Sequence, residues 1–125
     1  MGILDKTFDV TSAKKKIDKR MTDLNNRLMT AKNNFELVVV YNDIEEIIES
    51  EINLWLNSRS GNTLVTSIVA KEHDNFVALE VDKLRIFKKK VTDMKVEILP
   101  SAIIIQSTLI REHKLKEPKI QIETK

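Results

Sequence analysis

Apolar positions along this chain change their spacing more than once. Ile17, Met21, Leu24, Leu28, Ala31 and Phe35 recur at alternating intervals of four and three, the pattern of a helix with a narrow coiled-coil seam. Val10 lies one heptad upstream, and Asp9 or Thr11 offers a capping oxygen to the first amides. The other faces carry Lys14, Lys15, Lys16, Lys19, Arg20, Asn25, Asn26 and Arg27. A stripe this thin suits one helical partner, either the second helix or a copy of itself. Residues 1–34 therefore read as a helical oligomerisation arm, with Ile17, Met21, Leu24 and Leu28 as its contacts.

After the stop signal Asn33-Asn34 comes Phe35-Glu36-Leu37-Val38-Val39-Val40-Tyr41, a β-branched run flanked by aromatics. It predicts a strand; the competing reading continues the helix, because Phe35 and Val38 stay in heptad register. A helix over Asp43–Asn57 follows, started by Asp43 and Glu46 and striped by Ile44, Ile47, Ile48, Ile52 and Trp55. Glu51 falls inside that stripe. Ser58–Asn62 ends the helix, with Gly61 as the left-handed cap.

From Thr63 onward the pattern alternates. It predicts a strand over 63–71, a hairpin turn at Glu72–Asn75, a strand over Phe76–Val81 and a phase slip near Asp82-Lys83. Lys88–Lys90 reads as a basic loop or edge. A further alternating run, Met94, Val96 and Ile98, stops at Pro100. Ala102–Ile110 is β-branched and reads as a strand, with a short helix as the other option, and Ile120-Gln121-Ile122 could add an edge strand. The expected fold is α+β: an N-terminal coiled-coil-like helix, then a β-α-β-β core extended by further antiparallel strands. The expected division is arm 1–34, core 35–110 and charged tail 111–125.

Part of this text has a family likeness. Val38-Val39-Val40-Tyr41-Asn42-Asp43-Ile44-Glu45-Glu46, then Glu51-Ile52-Asn53 with Trp55-Leu56, then Leu64–Val69 and Phe76–Val81 resemble small β-α-β-β proteins of low-GC Gram-positive bacteria and their phages, often described as sporulation proteins. The resemblance spans about a third of the chain, residues 38–81, and rests on pattern. It implies a small accessory protein of bacterial or phage origin, with some oligomeric binders among its relatives.

Composition removes whole classes of chemistry. Two glycines and no cysteine leave no Gly-rich phosphate loop, thiol nucleophile, disulfide or cysteine-based metal site. No apolar stretch is long enough to span a membrane, and no secretory leader is visible at Met1–Lys6, so a cytoplasmic protein is expected (host cytoplasm if phage-encoded). Net charge is +2 but strongly segregated. Residues 1–34 carry +4, residues 35–57 carry −6 with no basic side chain, and residues 58–125 carry +4. Opposite patches on one chain favour self-association or pairing within the molecule.

The search for catalytic groups returns little. His73 and His113 have no metal-ligand spacing. Glu80-Val81-Asp82-Lys83 places its lysine on the wrong face of a strand for a nuclease triad. Glu45 and Glu49, one helical turn apart, have the spacing to ligate a metal, but a solvated acidic face is the expected reading. Glu51 is either a perturbed buried acid or, as expected, a stripe-edge side chain reaching to solvent or to a basic residue of the first helix. Cationic side chains suggest a binding role instead. Arg59, with the amides near Gly61, together with Arg85 or Arg111, could hold an anion while Trp55 or Phe87 stacks on a base. Ligand-binding candidates are thus Trp55, Arg59, Arg85 and Arg111, with no cofactor or metal expected. A pI near 8.8 and an acidic second helix make nucleic acid a poor partner. The expectation is a non-catalytic homo-oligomeric binder, phage or mobile-element encoded, of an anionic small molecule such as a nucleotide signal. The alternative is a structural, assembly or adaptor protein, for example a virion component, that contacts a host protein and holds no small ligand.

Overall fold

The computed structural model describes residues 2–58, 67–117 and 120, and among them there are three helices and no strand: α1 (Gly2–Thr30), α2 (Asn34–Asn57) and α3 (Ser67–Arg111). The break between α1 and α2 has a local cause. Asn33 is extended (φ −158°, ψ 174°), and its side-chain oxygen accepts from the Glu36 amide at 2.9 Å. Glu36 in the first turn also complements the helix dipole. The asparagine pair does stop a helix, but it starts the next one at once.

That helix absorbs the valine run. Phe35, Val38, Ile44, Ile48, Ile52 and Trp55 are all buried at spacings that a helix, not a strand, brings to one side. Asp43 lies mid-helix rather than at a start. Side-chain pairs set the directions of the helices. Arg27 meets Asp43 at 2.9 Å near the α1–α2 turn, and Lys14 faces Glu51 at 3.5 Å near the far end, so α1 and α2 run antiparallel. On the other side Asn34 bonds Ser101 at 3.1 Å, Glu45 takes Lys95 at 2.5 Å and Glu49 takes Lys88 at 2.8 Å. Residue numbers fall along α3 as they rise along α2, so this pair is antiparallel too. The central helix is α2, since it packs against both neighbours while α1 and α3 make no close backbone approach among the described residues.

Two apolar clusters fill the seams. The larger joins Leu24 of α1 to Val40, Ile44, Ile48, Ile52 and Trp55 of α2 and to Val77, Val81 and Val91 of α3. The smaller holds Phe35, Val38, Ala102 and Ile120, with Ile98, Ile105, Leu109 and Leu115 around them. It exists because α3 outruns α2: its 45 residues extend about 68 Å at 1.5 Å per residue. The excess at the C-terminal end is covered by the chain folding back. His113 takes a left-handed conformation (φ 61°). Its amide bonds the Ile110 carbonyl at 3.0 Å, and the Lys114 amide bonds that of Leu109 at 2.9 Å. These two bonds make a Schellman stop. Leu115 and Ile120 then land on the smaller cluster. Buried Gln106 secures the return: its carbonyl oxygen accepts from the Ile120 amide at 2.9 Å, and its amide donates to the Ile120 carbonyl at 3.4 Å.

The α+β expectation is therefore overturned, and the fold is all-α. Residues 35–41 are helix, as are the predicted strands over 76–81, 94–98 and 102–110, the hairpin turn at 72–75 and the basic loop at 88–90. Of the strand over 63–71, residues 67–71 are helical and the remainder lies outside the described residues, as does Gly61. The β-α-β-β order over 38–81 that carried the family likeness is absent from the described part. The described residues of 35–110 form no α+β core. Ile120 forms no strand, and residues 121–125 lie outside the described residues.

Candidate interaction surface

The acidic segment meets its counter-charges inside the molecule. Asp43 pairs with Arg27, Glu45 with Lys95, Glu49 with Lys88 and Glu51 with Lys14; Thr92 also donates its hydroxyl to Glu45. The two glutamates one turn apart thus hold lysines of α3. No group of three or more metal-ligating side chains gathers among the described residues. Glu51 is buried and accepts from the Trp55 indole N–H at 3.3 Å. Burial opposes the charge on Lys14, but its hydrogen bond to Asp18 and the carboxylates of Glu51 and Asp18 outweigh it, so the ammonium titrates above the ordinary lysine value of 10.5. His73, far from a turn, places its Nε2 2.9 Å from the Ser58 carbonyl. That oxygen is one of the orphan acceptors at the end of α2, and the imidazole N–H satisfies it.

Of the residues expected to hold an anion, the three that are described, Trp55, Arg85 and Arg111, do not converge. Trp55 is a core side chain, its indole N–H spent on Glu51 and its ring edge-on to Phe76 at 5.6 Å. Arg59 lies outside the described residues. Arg85 is exposed on the wall of a cleft of about 360 Å³ shared with Glu49, Ile52, Lys88, Lys89 and Thr92. Arg111 ends the same helix, 26 residues on, about 39 Å along the axis. No small molecule spans that gap. The seam of α1 is occupied within the chain: Leu24 is 1% exposed, and Met21 and Leu28 pack beside it on the central cluster. Ile17 is half-buried.

What remains is a feature that the sequence reading missed. The core face of α3 runs Val77, Val81, Leu84, Lys88, Val91, Lys95, Ile98, Ala102, Ile105 and Leu109, alternating four and three throughout. Lys88 and Lys95 interrupt its hydrophobicity, and they are the two that pair with α2. A second stripe runs beside it: Glu72, Phe76, Leu79, Lys83, Ile86 and Lys90, again at four and three. Its apolar members are open to solvent, with Phe76 50% and Leu79 and Ile86 60% exposed, and Phe87 and Met94 border it at 40% and 44%. Helical spacing beyond residue 76, tested over more than one heptad, would have revealed both stripes. No helix among the described residues is long and apolar enough to cross a membrane.

Comparison with protein-family models, curated proteins and solved structures found no match for the chain.

Proposed function

We propose that this chain is a homo-oligomeric helical assembly protein, acting through association with other protein chains in a structural or adaptor role. One observation carries the reading. The longest helix exposes Phe76, Leu79, Ile86, Phe87 and Met94 along one side between residues 76 and 94, and solvent-facing apolar patches rimmed by charge mark association surfaces. Exposing five large apolar groups together gives up hydrophobic free energy that a partner's surface would recover. Holding an anionic small molecule is the less supported role, because Arg85 and Arg111 stand far apart and Trp55 is committed to the core.

Native mass spectrometry separates the two. Assembly predicts species at multiples of 14.4 kDa carrying no extra mass. A monomer retaining a nucleotide-sized adduct would overturn the proposal in favour of the binder.

A further inference from the structure

The outer stripe of α3 is self-complementary. Residues 72–82 hold Glu72, Asp74, Glu80 and Asp82 and no lysine or arginine, for a net −4. Residues 83–93 hold Lys83, Arg85, Lys88, Lys89 and Lys90 against Asp93, for a net +4. A second copy laid parallel and in register would set Glu72 on Glu72, Lys83 on Lys83 and Lys90 on Lys90, each pair repulsive. Laid antiparallel about a two-fold axis near residue 81, the same six positions pair differently. Glu72 then faces Lys90, Phe76 faces Ile86, and Leu79 faces Lys83, whose methylene stem can cover it. Each contact occurs twice, as a two-fold interface requires.

We infer that the α3 stripe Glu72–Lys90 is a homodimer interface in which two copies of this helix pack antiparallel. The inference rests on the assembly reading and names its partner and geometry. Complementary charge fixes register and excludes the parallel arrangement, while the apolar centre supplies the driving force. The α1 seam is not available for this purpose, because Leu24 is buried in the central cluster of its own chain. Intramolecular pairing touches the stripe at Lys83, which meets Glu80 of its own helix at 3.4 Å; Lys88, drawn to Glu49, lies on the core face and is not among the six positions.

Sedimentation equilibrium on the full-length chain, with circular dichroism as a check on folding, tests this. The wild type should approach twice 14.4 kDa as concentration rises. Leu79→Glu with Ile86→Glu should give a helical monomer. Glu72→Lys or Lys90→Glu alone should weaken the dimer on the order of tenfold, since each creates two like-charge contacts. The double exchange Glu72→Lys/Lys90→Glu should restore it. Both charge positions tested, Glu72 and Lys90, are exposed, so the charge series remains readable even if the double glutamate variant misfolds. A wild type that stays monomeric at every concentration overturns both this interface and the assembly reading. An oligomer that survives Leu79→Glu/Ile86→Glu leaves assembly standing and removes this interface. Failure of the charge exchange to restore association removes the antiparallel register.

Discussion

At the residue scale the most informative side chain is Glu51. It lies in an apolar stripe at 8% exposure, and two groups hold it there: the Trp55 indole N–H at 3.3 Å and the Lys14 ammonium at 3.5 Å. Its position inside the stripe was legible in the sequence, as was the possibility of a basic partner on the first helix. Which lysine of Lys14, Lys15 and Lys16 would answer was not, because that depends on the rotation of α1 about its own axis. Glu51→Ala leaves a buried indole N–H without an acceptor and should lower unfolding free energy by about 2 kcal/mol in urea titrations. Glu51→Gln keeps an acceptor and should cost about half as much. The same lysine carries a pH signature: against the opposing effect of burial, its pKa is raised first by its hydrogen bond to Asp18 and then by the Glu51 carboxylate. Lys14 titrates above 10.5 when folded, so its stabilising contribution is complete below that value and disappears as pH rises through the higher folded one. Thermal melts between about pH 9 and 12 should show a steeper alkaline decline for wild type than for Glu51→Gln.

At the element scale the period-two errors in α3 share one origin. In Val77, Leu79 and Val81 an apparent period of two arises from two helical faces sampled in turn: Val77 and Val81 are buried, whereas Leu79 is 60% exposed. The phase slip at Leu84 and Ile86 repeats this, with Leu84 packed on the core and Ile86 exposed. A helix with two apolar stripes imitates a strand in short windows. The valine run of α2 illustrates a different contest. Helix formation costs valine up to about 0.7 kcal/mol relative to alanine, whereas burying its side chain returns about 1.5 kcal/mol or more, and Val38 and Val40 are both buried. The Asn33 cap, with Glu36 three residues on, was a helix-start signature already present in the sequence. Pro100 sits inside α3, where it cannot donate to the backbone ladder, and its side chain is exposed. Pro100→Ala should therefore stabilise the protein by about 2 kcal/mol, after allowing for the more flexible unfolded chain, seen as a higher urea midpoint with an unchanged m-value.

At the scale of the whole molecule the charge segregation has a clear use. A central helix with six acids and no base needs basic neighbours on both sides, and α1 and α3 provide them. The C-terminal return is the other long-range device. Gln106 recognises the backbone of Ile120 through both its amide atoms, so the contact depends on the glutamine and on Ile120 filling the space beside Phe35, Val38 and Ala102. Gln106→Ala should release the segment after α3, and tryptic cleavage at Lys114 or Lys116 should accelerate several-fold while helical content hardly changes. An unaltered digestion rate would show that the apolar contacts of Leu115 and Ile120 hold the return without the glutamine.

By itself the sequence determined the α1 seam, the break at Asn33, the stripe from Ile44 to Trp55 and the acidic centre between basic flanks, since each is a local pattern with a local physical cause. The helical spacing beyond residue 76 was also present in the sequence, but only the tertiary structure decided that the helix runs on through Pro100 and which of its two apolar stripes is core. Periodicity assigns residues to faces, but a face becomes interior only where another element covers it. Here Glu45 and Glu49 of α2 draw Lys95 and Lys88 inward and fix the rotation of α3, and that rotation leaves Phe76, Leu79 and Ile86 facing outward.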